Sequence, residues 1–261
     1  GVPFPLMQTA KQKLKRAAPW LFLLLVLAGL AAVRGLAANY EIGYEIMNGD
    51  FQNYNPVRHL LAGQVPYRDF TVYLGAGELY SVGGLLLVLG NSFGRSMFAT
   101  NFCTWFYFEL LVLAVCLVVI GTARAARAAA LALCSVFFAY VQGANLPFAG
   151  QVNTLLSYAA ANGNSARMMR SAALTLAVLV ILLGLHFWQQ DTSRRLLAPA
   201  VLVPFAAGFF VPWSNDMGGA AYISIALGYG LYLIRLYRSS IGKIVVQTLR
   251  YIVTSVVGLG V

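Results

Sequence analysis

The chain is written in long apolar runs, and these limit what it can fold into. Seven stretches, at about 19–36, 98–120, 128–148, 171–188, 196–212, 218–234 and from 244 onward, carry almost no charge. A bilayer's hydrocarbon core needs about 20 apolar residues per helix, and in lipid the backbone must satisfy its own hydrogen bonds. The expected fold is an all-α integral membrane protein. It would have about seven transmembrane helices and two juxtamembrane helices in the first outer loop. Composition agrees: 60% of the 261 residues are hydrophobic and 10% charged, against about 25% charged in ordinary soluble domains.

The net charge of +10 comes from 18 Lys and Arg against 8 Asp and Glu. In a membrane chain this excess reflects the positive-inside rule and affinity for anionic headgroups, so no nucleic-acid partner is expected. Lys11, Lys13, Lys15 and Arg16 precede the first run and set the N-terminus in the cytoplasm. Residues 1–18 then read as a basic cytoplasmic N-terminus and 19–261 as one transmembrane domain, with 38–97 as its first extracytoplasmic loop. The chain stops at Val261 inside an apolar run, so it is expected to continue. Two segments are ambiguous. Residues 71–90 read as a second juxtamembrane helix, because a span there would carry Arg124 and Arg127 outside; 151–170 reads as a re-entrant or interfacial piece. Cys103, Cys116 and Cys134 fall inside expected spans, as small hydrophobes.

The longest polar passage is 49–70, GDFQNYNPVRHLLAGQVPYRDF. Phe51, Tyr54, Val57, Leu60 and Leu61 recur at helical spacing, so 50–63 should form a helix lying in the interface, ended by Gly63 and Pro66. Asp50 at its start can act as a general base or as an N-cap. Arg58 and Arg68 suit a phosphate through paired N–H donors, or snorkel, or pair with Asp69. His59 can assist a phosphate or rest as an interfacial side chain. Asp216, in WSNDMGG, reads equally as a site wall and as the cap of the next span. Glu109 lies deep in an apolar run, where a charge is costly, and should face the bundle. The sequence has no Walker loop, HExxH, GxSxG, DxD or paired-cysteine motif, so no cofactor is expected and a divalent metal lacks support.

Asp50-Phe51-Gln52-Asn53-Tyr54 followed by HLLAGQVPYRDF resembles the first outer loop of the GT-C glycosyltransferases, which include protein O-mannosyltransferases and lipid A aminoarabinose transferases. The likeness covers residues 19 to about 150. It runs through a Tyr four residues after the Asp, an interfacial helix ending in Gly and Pro-Tyr, a second helix ending in Leu89-Gly90-Asn91-Ser92, and then Arg95. It implies a polyprenyl-phosphate-linked sugar as donor, a glycan, lipid or protein acceptor, and inversion at the sugar carbon on the extracytoplasmic side of the cell membrane. By matching position Asp50 would be the base; Asp216, beyond the stretch that the likeness covers, is a second candidate acid from its place at the outer end of a span. Arg58, Arg68, Arg95 and His59 would meet the donor phosphate, and Tyr54, Gln151 and Asn153 would wall the site. Phe51 stands where many relatives carry Glu, and Gln151 and Asn153 where some carry a second Asp. The rival readings are a transporter or lipid flippase, and a non-catalytic subunit of an envelope-polysaccharide assembly.

Overall fold

The computed structural model describes residues 5–40, 48–121, 124–142 and 197–260. Among the described residues the chain forms eight helices and no strand. They are α1 (Pro5–Tyr40), α2 (Asn48–Leu61), α3 (Ala76–Leu89), α4 (Phe93–Ile120), α5 (Ala125–Gln142), α6 (Leu197–Trp213), α7 (Met217–Leu236) and α8 (Ile241–Leu259). Four of them hold stretches long and apolar enough to cross a membrane: Ala17–Leu36 of α1, and α4, α7 and α8. The protein is a helical membrane protein. The segment 151–170 and the run at 171–188 lie outside the described residues.

α1 runs through the basic N-terminal stretch and Pro19 into the apolar run, and its membrane-crossing stretch is Ala17–Leu36. Two boundaries differ from the sequence expectation. The interfacial helix begins at Asn48 and ends at Leu61, two residues earlier at each end than expected. The second span begins at Phe93 rather than 98, because Ser92 caps it, its side chain accepting from the Arg95 amide at 3.4 Å.

α1 and α4 run antiparallel. Gly35 lies against Phe98 at one end, Ala31 packs with Trp105 in the middle, and Leu23 and Leu27 meet Leu113 and Cys116 at the other. The Arg34 guanidinium sits 4.7 Å over the Trp105 ring, and Glu109, a turn further along α4, is fully buried. α5 closes this end, with Ala128 and Ala132 in the same cluster as Leu113. At the other end, α2 and α3 lie beside the start of α4 and share a core of Val57, Leu79, Val82, Leu86 and Ala99. At 14 residues each, α2 and α3 are about 21 Å long, shorter than the ~30 Å hydrocarbon core.

α6, α7 and α8 form a second group around Val203, Ala207, Ile225, Tyr229 and Tyr251, in which the Tyr229 and Tyr251 rings stack at 5.1 Å. Small residues bring α6 and α8 close: Gly208 rests on the Ser255 carbonyl and Gly258 on the Phe205 carbonyl. The two groups of helices meet where α3 and its preceding loop touch the end of α6. Trp213 lies over Gly77 and edge-on to Tyr107, ring centroids 6.1 Å apart. Gly75, at φ 111°, opens α3, and a Cβ there would collide with the Trp213 carbonyl.

Candidate functional site

The site grows from two faces of α2. One face carries Asn53, Val57 and Leu60 toward α3: Val57 is fully buried, and Leu60 reaches Gly83. The next face carries Phe51, Tyr54 and Arg58 toward the Gly90–Phe93 turn. Phe51 stacks on Phe93 at 4.6 Å and Tyr54 meets Phe93 edge-on at 5.8 Å. The Tyr54 hydroxyl donates to Asn91 Oδ1 at 2.9 Å, and the Arg58 guanidinium lies 5.7 Å over the Tyr54 ring. From the other side the Arg95 guanidinium folds against Gly90, where only a residue without Cβ leaves it room. Arg58 and Arg95 therefore border one turn. Among the described residues neither has a carboxylate within ion-pair distance. Two cations and a phenol beside an exposed turn make a receptor for an anion.

Asp50 stands in the first turn of α2, one turn before Tyr54; its side chain lies outside the described residues. Gln151 and Asn153 lie outside them as well.

Arg68 and His59 belong to a different group, the loop that follows α2. Arg68 forks onto its neighbour Asp69, Nε to Oδ1 and Nη2 to Oδ2, both at 2.9 Å. Asp69 Oδ2 also accepts from the Val65 amide at 2.7 Å. The Arg68 guanidinium, and then the Val65 N–H, hold the Asp69 carboxyl below its usual range. His59 donates from Nδ1 to Gln64 Oε1 and stacks on Phe70 at 5.2 Å. Of the four residues assigned to phosphate, Arg58 lies over Tyr54 and Arg95 lies against Gly90, next to Tyr54's partner Asn91, while Arg68 and His59 already hold partners in the loop after α2.

Asp216 caps α7. It accepts from the Met217 amide at 3.0 Å and from the Ser214 hydroxyl at 2.8 Å, which is the capping arrangement. It lies beyond ion-pair reach of Arg58 and Arg95.

Its neighbour Asn215 has a role that its sequence position hides. Asn215 Nδ2 donates to the Val72 carbonyl at 2.6 Å and to the Tyr73 carbonyl at 3.0 Å, while its Oδ1 accepts from the Tyr67 hydroxyl at 3.0 Å. One side chain thus ties the 67–73 loop to the α6–α7 turn, and burial there pushes the Tyr67 phenol above its ordinary value. Asn215→Leu should leave these groups unanswered and loosen the loop by about 2 kcal/mol. Backbone amides of 67–75 would then exchange with deuterium faster by roughly 30-fold, while α8 stays unchanged; equal exchange in both proteins would remove the clamp's importance.

Sequence reasoning also missed two acceptors of burial. Asn53 and Glu78 are both 4% exposed and line one small cavity with Gln52 and Tyr73. Glu78 lies in the first turn of α3, where the helix dipole favours a carboxylate. The Tyr54–Arg58 pairing was available as an i, i+4 spacing. Asn91 and Phe93 offered no signal beyond a helix cap. Among the described residues no group of three or more His, Cys, Asp or Glu could hold a metal ion.

Comparison of the chain with family models, with curated proteins and with solved structures finds no match.

Proposed function

We propose that the protein is a membrane glycosyltransferase that moves a sugar from a polyprenyl-phosphate carrier to an acceptor hydroxyl. The observation that carries this reading is the turn bordered by Arg58 and Arg95, with Asp50 about two helical turns before Arg58 on the same helix. The likeness of residues 50–95 to the first outer loop of GT-C enzymes supports it, and so does the all-helical membrane character of the chain. On this reading the described helices belong to a bundle of about seven spans, with a cytoplasmic N-terminus and an extracytoplasmic site.

The chemistry follows from the roles. The donor's phosphate lies between the two guanidinium groups, with its polyprenyl tail among the spans. The acceptor oxygen attacks the sugar carbon and its proton passes to the Asp50 carboxylate. The bond from that carbon to the phosphate oxygen breaks, and polyprenyl phosphate leaves with its charge held by arginine. Fixing the two reactants in line and stabilising the leaving phosphate supply most of the rate.

Native mass spectrometry with added polyprenyl-phosphate sugar tests the proposal. Wild type should retain the lipid, and should lose the sugar from it when acceptor is supplied. Arg58→Gln and Arg95→Gln should each weaken lipid retention by about 10-fold, the size of one lost charge-assisted hydrogen bond. If no polyprenyl lipid binds under any condition, the reading fails.

A second reading, a transporter, draws on Glu78 and Glu109, acids buried in the bundle at 4% and 0% exposure. Movement of the lipid-linked sugar across a vesicle membrane with no covalent transfer would favour it.

A further inference from the structure

We propose that the end of α1 and α4 remote from the Arg58–Arg95 turn carries a binding site for an anionic phospholipid. A cavity of about 340 Å³ opens between the start of the apolar part of α1 and the start of α5. That is within the ~300–1,000 Å³ range of small-molecule sites. Pro19, Trp20 and Leu23 form one wall and Ala125, Ala129 and Leu133 the other, and every described residue lining it is apolar. Alanines on α5 make the room, since a larger side chain at any of them would fill it. Such a cavity accepts hydrocarbon and offers nothing to a polar group.

The rim has the opposite character. Arg124 and Arg127 stand at the start of α5, beside the wall formed by Ala125 and Ala129, and both are exposed. Neither has a carboxylate within ion-pair distance among the described residues. Lys11, Lys13, Lys15 and Arg16 precede Pro19 on α1 within about two turns. An apolar cavity beside two exposed arginines, next to a helix with a basic N-terminal sequence, matches a molecule with an acyl chain and a phosphate of net negative charge. A zwitterionic lipid would place a cation against the same arginines.

This ligand is distinct from the sugar donor, and the inference does not rest on the transferase reading. Because α1 and α4 are antiparallel, Gly35 and Phe98 lie at one end and Leu23 and Leu113 at the other. The 28 residues of α4 separate Arg95 from Arg124 by about 40 Å. One phosphate cannot serve both ends.

Trp20, 38% exposed and lining the cavity, is a built-in reporter. The protein is reconstituted in phosphatidylcholine vesicles containing a few per cent of either phosphatidylglycerol or phosphatidylcholine brominated in the acyl chain. The brominated phosphatidylglycerol should quench tryptophan fluorescence at lower mole fraction. Trp20→Phe should abolish the difference between the two lipids. Arg124→Gln with Arg127→Gln should raise the mole fraction needed by about 10-fold or more, as two charges at a membrane surface would. Arg235→Gln with Arg238→Gln, an equal loss of charge elsewhere, should leave it unchanged. Ala129→Leu should fill the cavity and remove the preference. If Ala129→Leu fails to fold, the arginine pair decides alone. Equal quenching by the two lipids in wild type, or equal loss in both arginine pairs, would overturn the site. Displacement of brominated phosphatidylglycerol by sub-stoichiometric polyprenyl phosphate would overturn it too, giving the cavity to the donor's tail.

Discussion

Asp50→Asn should lower sugar transfer by about 10²- to 10⁴-fold, the range that a positioned general base contributes. The effect should fall on turnover and spare lipid binding. Asparagine keeps the size of the side chain, but it cannot take the acceptor's proton. The helix itself is held elsewhere, by Val57 and Leu60 against α3 and by Tyr54 on Asn91. Melting temperature and retention of polyprenyl-phosphate sugar should therefore match wild type. Three results can be told apart. Lost transfer with retained donor assigns the proton to Asp50. Lost transfer with lost donor would make Asp50 part of the binding surface instead. Unchanged transfer would remove Asp50 from the mechanism.

The largest stability effect should come from Gly258→Leu. In α8 this glycine rests on the Phe205 carbonyl of α6, and one turn away Gly208 rests on the Ser255 carbonyl. Any side chain at Gly258 must push the two backbones apart. Separation would also disturb the Tyr222–Ser255 hydrogen bond at 3.1 Å and the Tyr229–Tyr251 stack. Overpacking in a well-filled core costs about 1–3 kcal/mol, and a backbone contact with no rotamer to move lies at the upper end. A fall of roughly 5–10 °C in the melting temperature in detergent is expected. Gly228→Ala is the control: a Cβ there meets nothing within 4 Å. It should be neutral, or stabilise by up to ~1 kcal/mol through helix propensity. If both variants melt alike, the close approach of α6 and α8 contributes nothing.

What the sequence revealed divides along a physical line. Periodicity and apolar run length are local, and they marked the apolar stretch of α1, the helices α4, α7 and α8, and the amphipathic α2 to within about five residues at the ends. The start of α4 was missed because Asn91 and Ser92 looked like the end of α3, when Ser92 also opens the next helix. The candidate site was legible only as composition. A list of Arg58, His59, Arg68 and Arg95 cannot say which cations meet. The division was made by Asp69, which takes Arg68, and by the fold of the Gly90–Phe93 turn, where Arg95 lies against Gly90 and Tyr54 bonds to the adjacent Asn91. The burial of Glu78 was not legible, since a lone acid in a glycine-rich stretch looks solvent-facing until α2 and the 72–75 loop cover it. Asn215 reaches 143 residues back along the chain to Val72, and no window on the sequence spans that distance.

That reach has a consequence for how the protein is made. A ribosome adds roughly 5–20 residues each second, so the 67–73 loop leaves it on the order of ten to thirty seconds before Asn215 exists. Through that interval the Val72 and Tyr73 carbonyls have no Asn215 to meet them, and α3 has no Trp213 over Gly77. The 67–73 loop is among the first parts to be synthesised and among the last to be locked, and a nascent chain arrested before residue 213 holds α2 and the Gly90–Phe93 turn beside an unfastened loop.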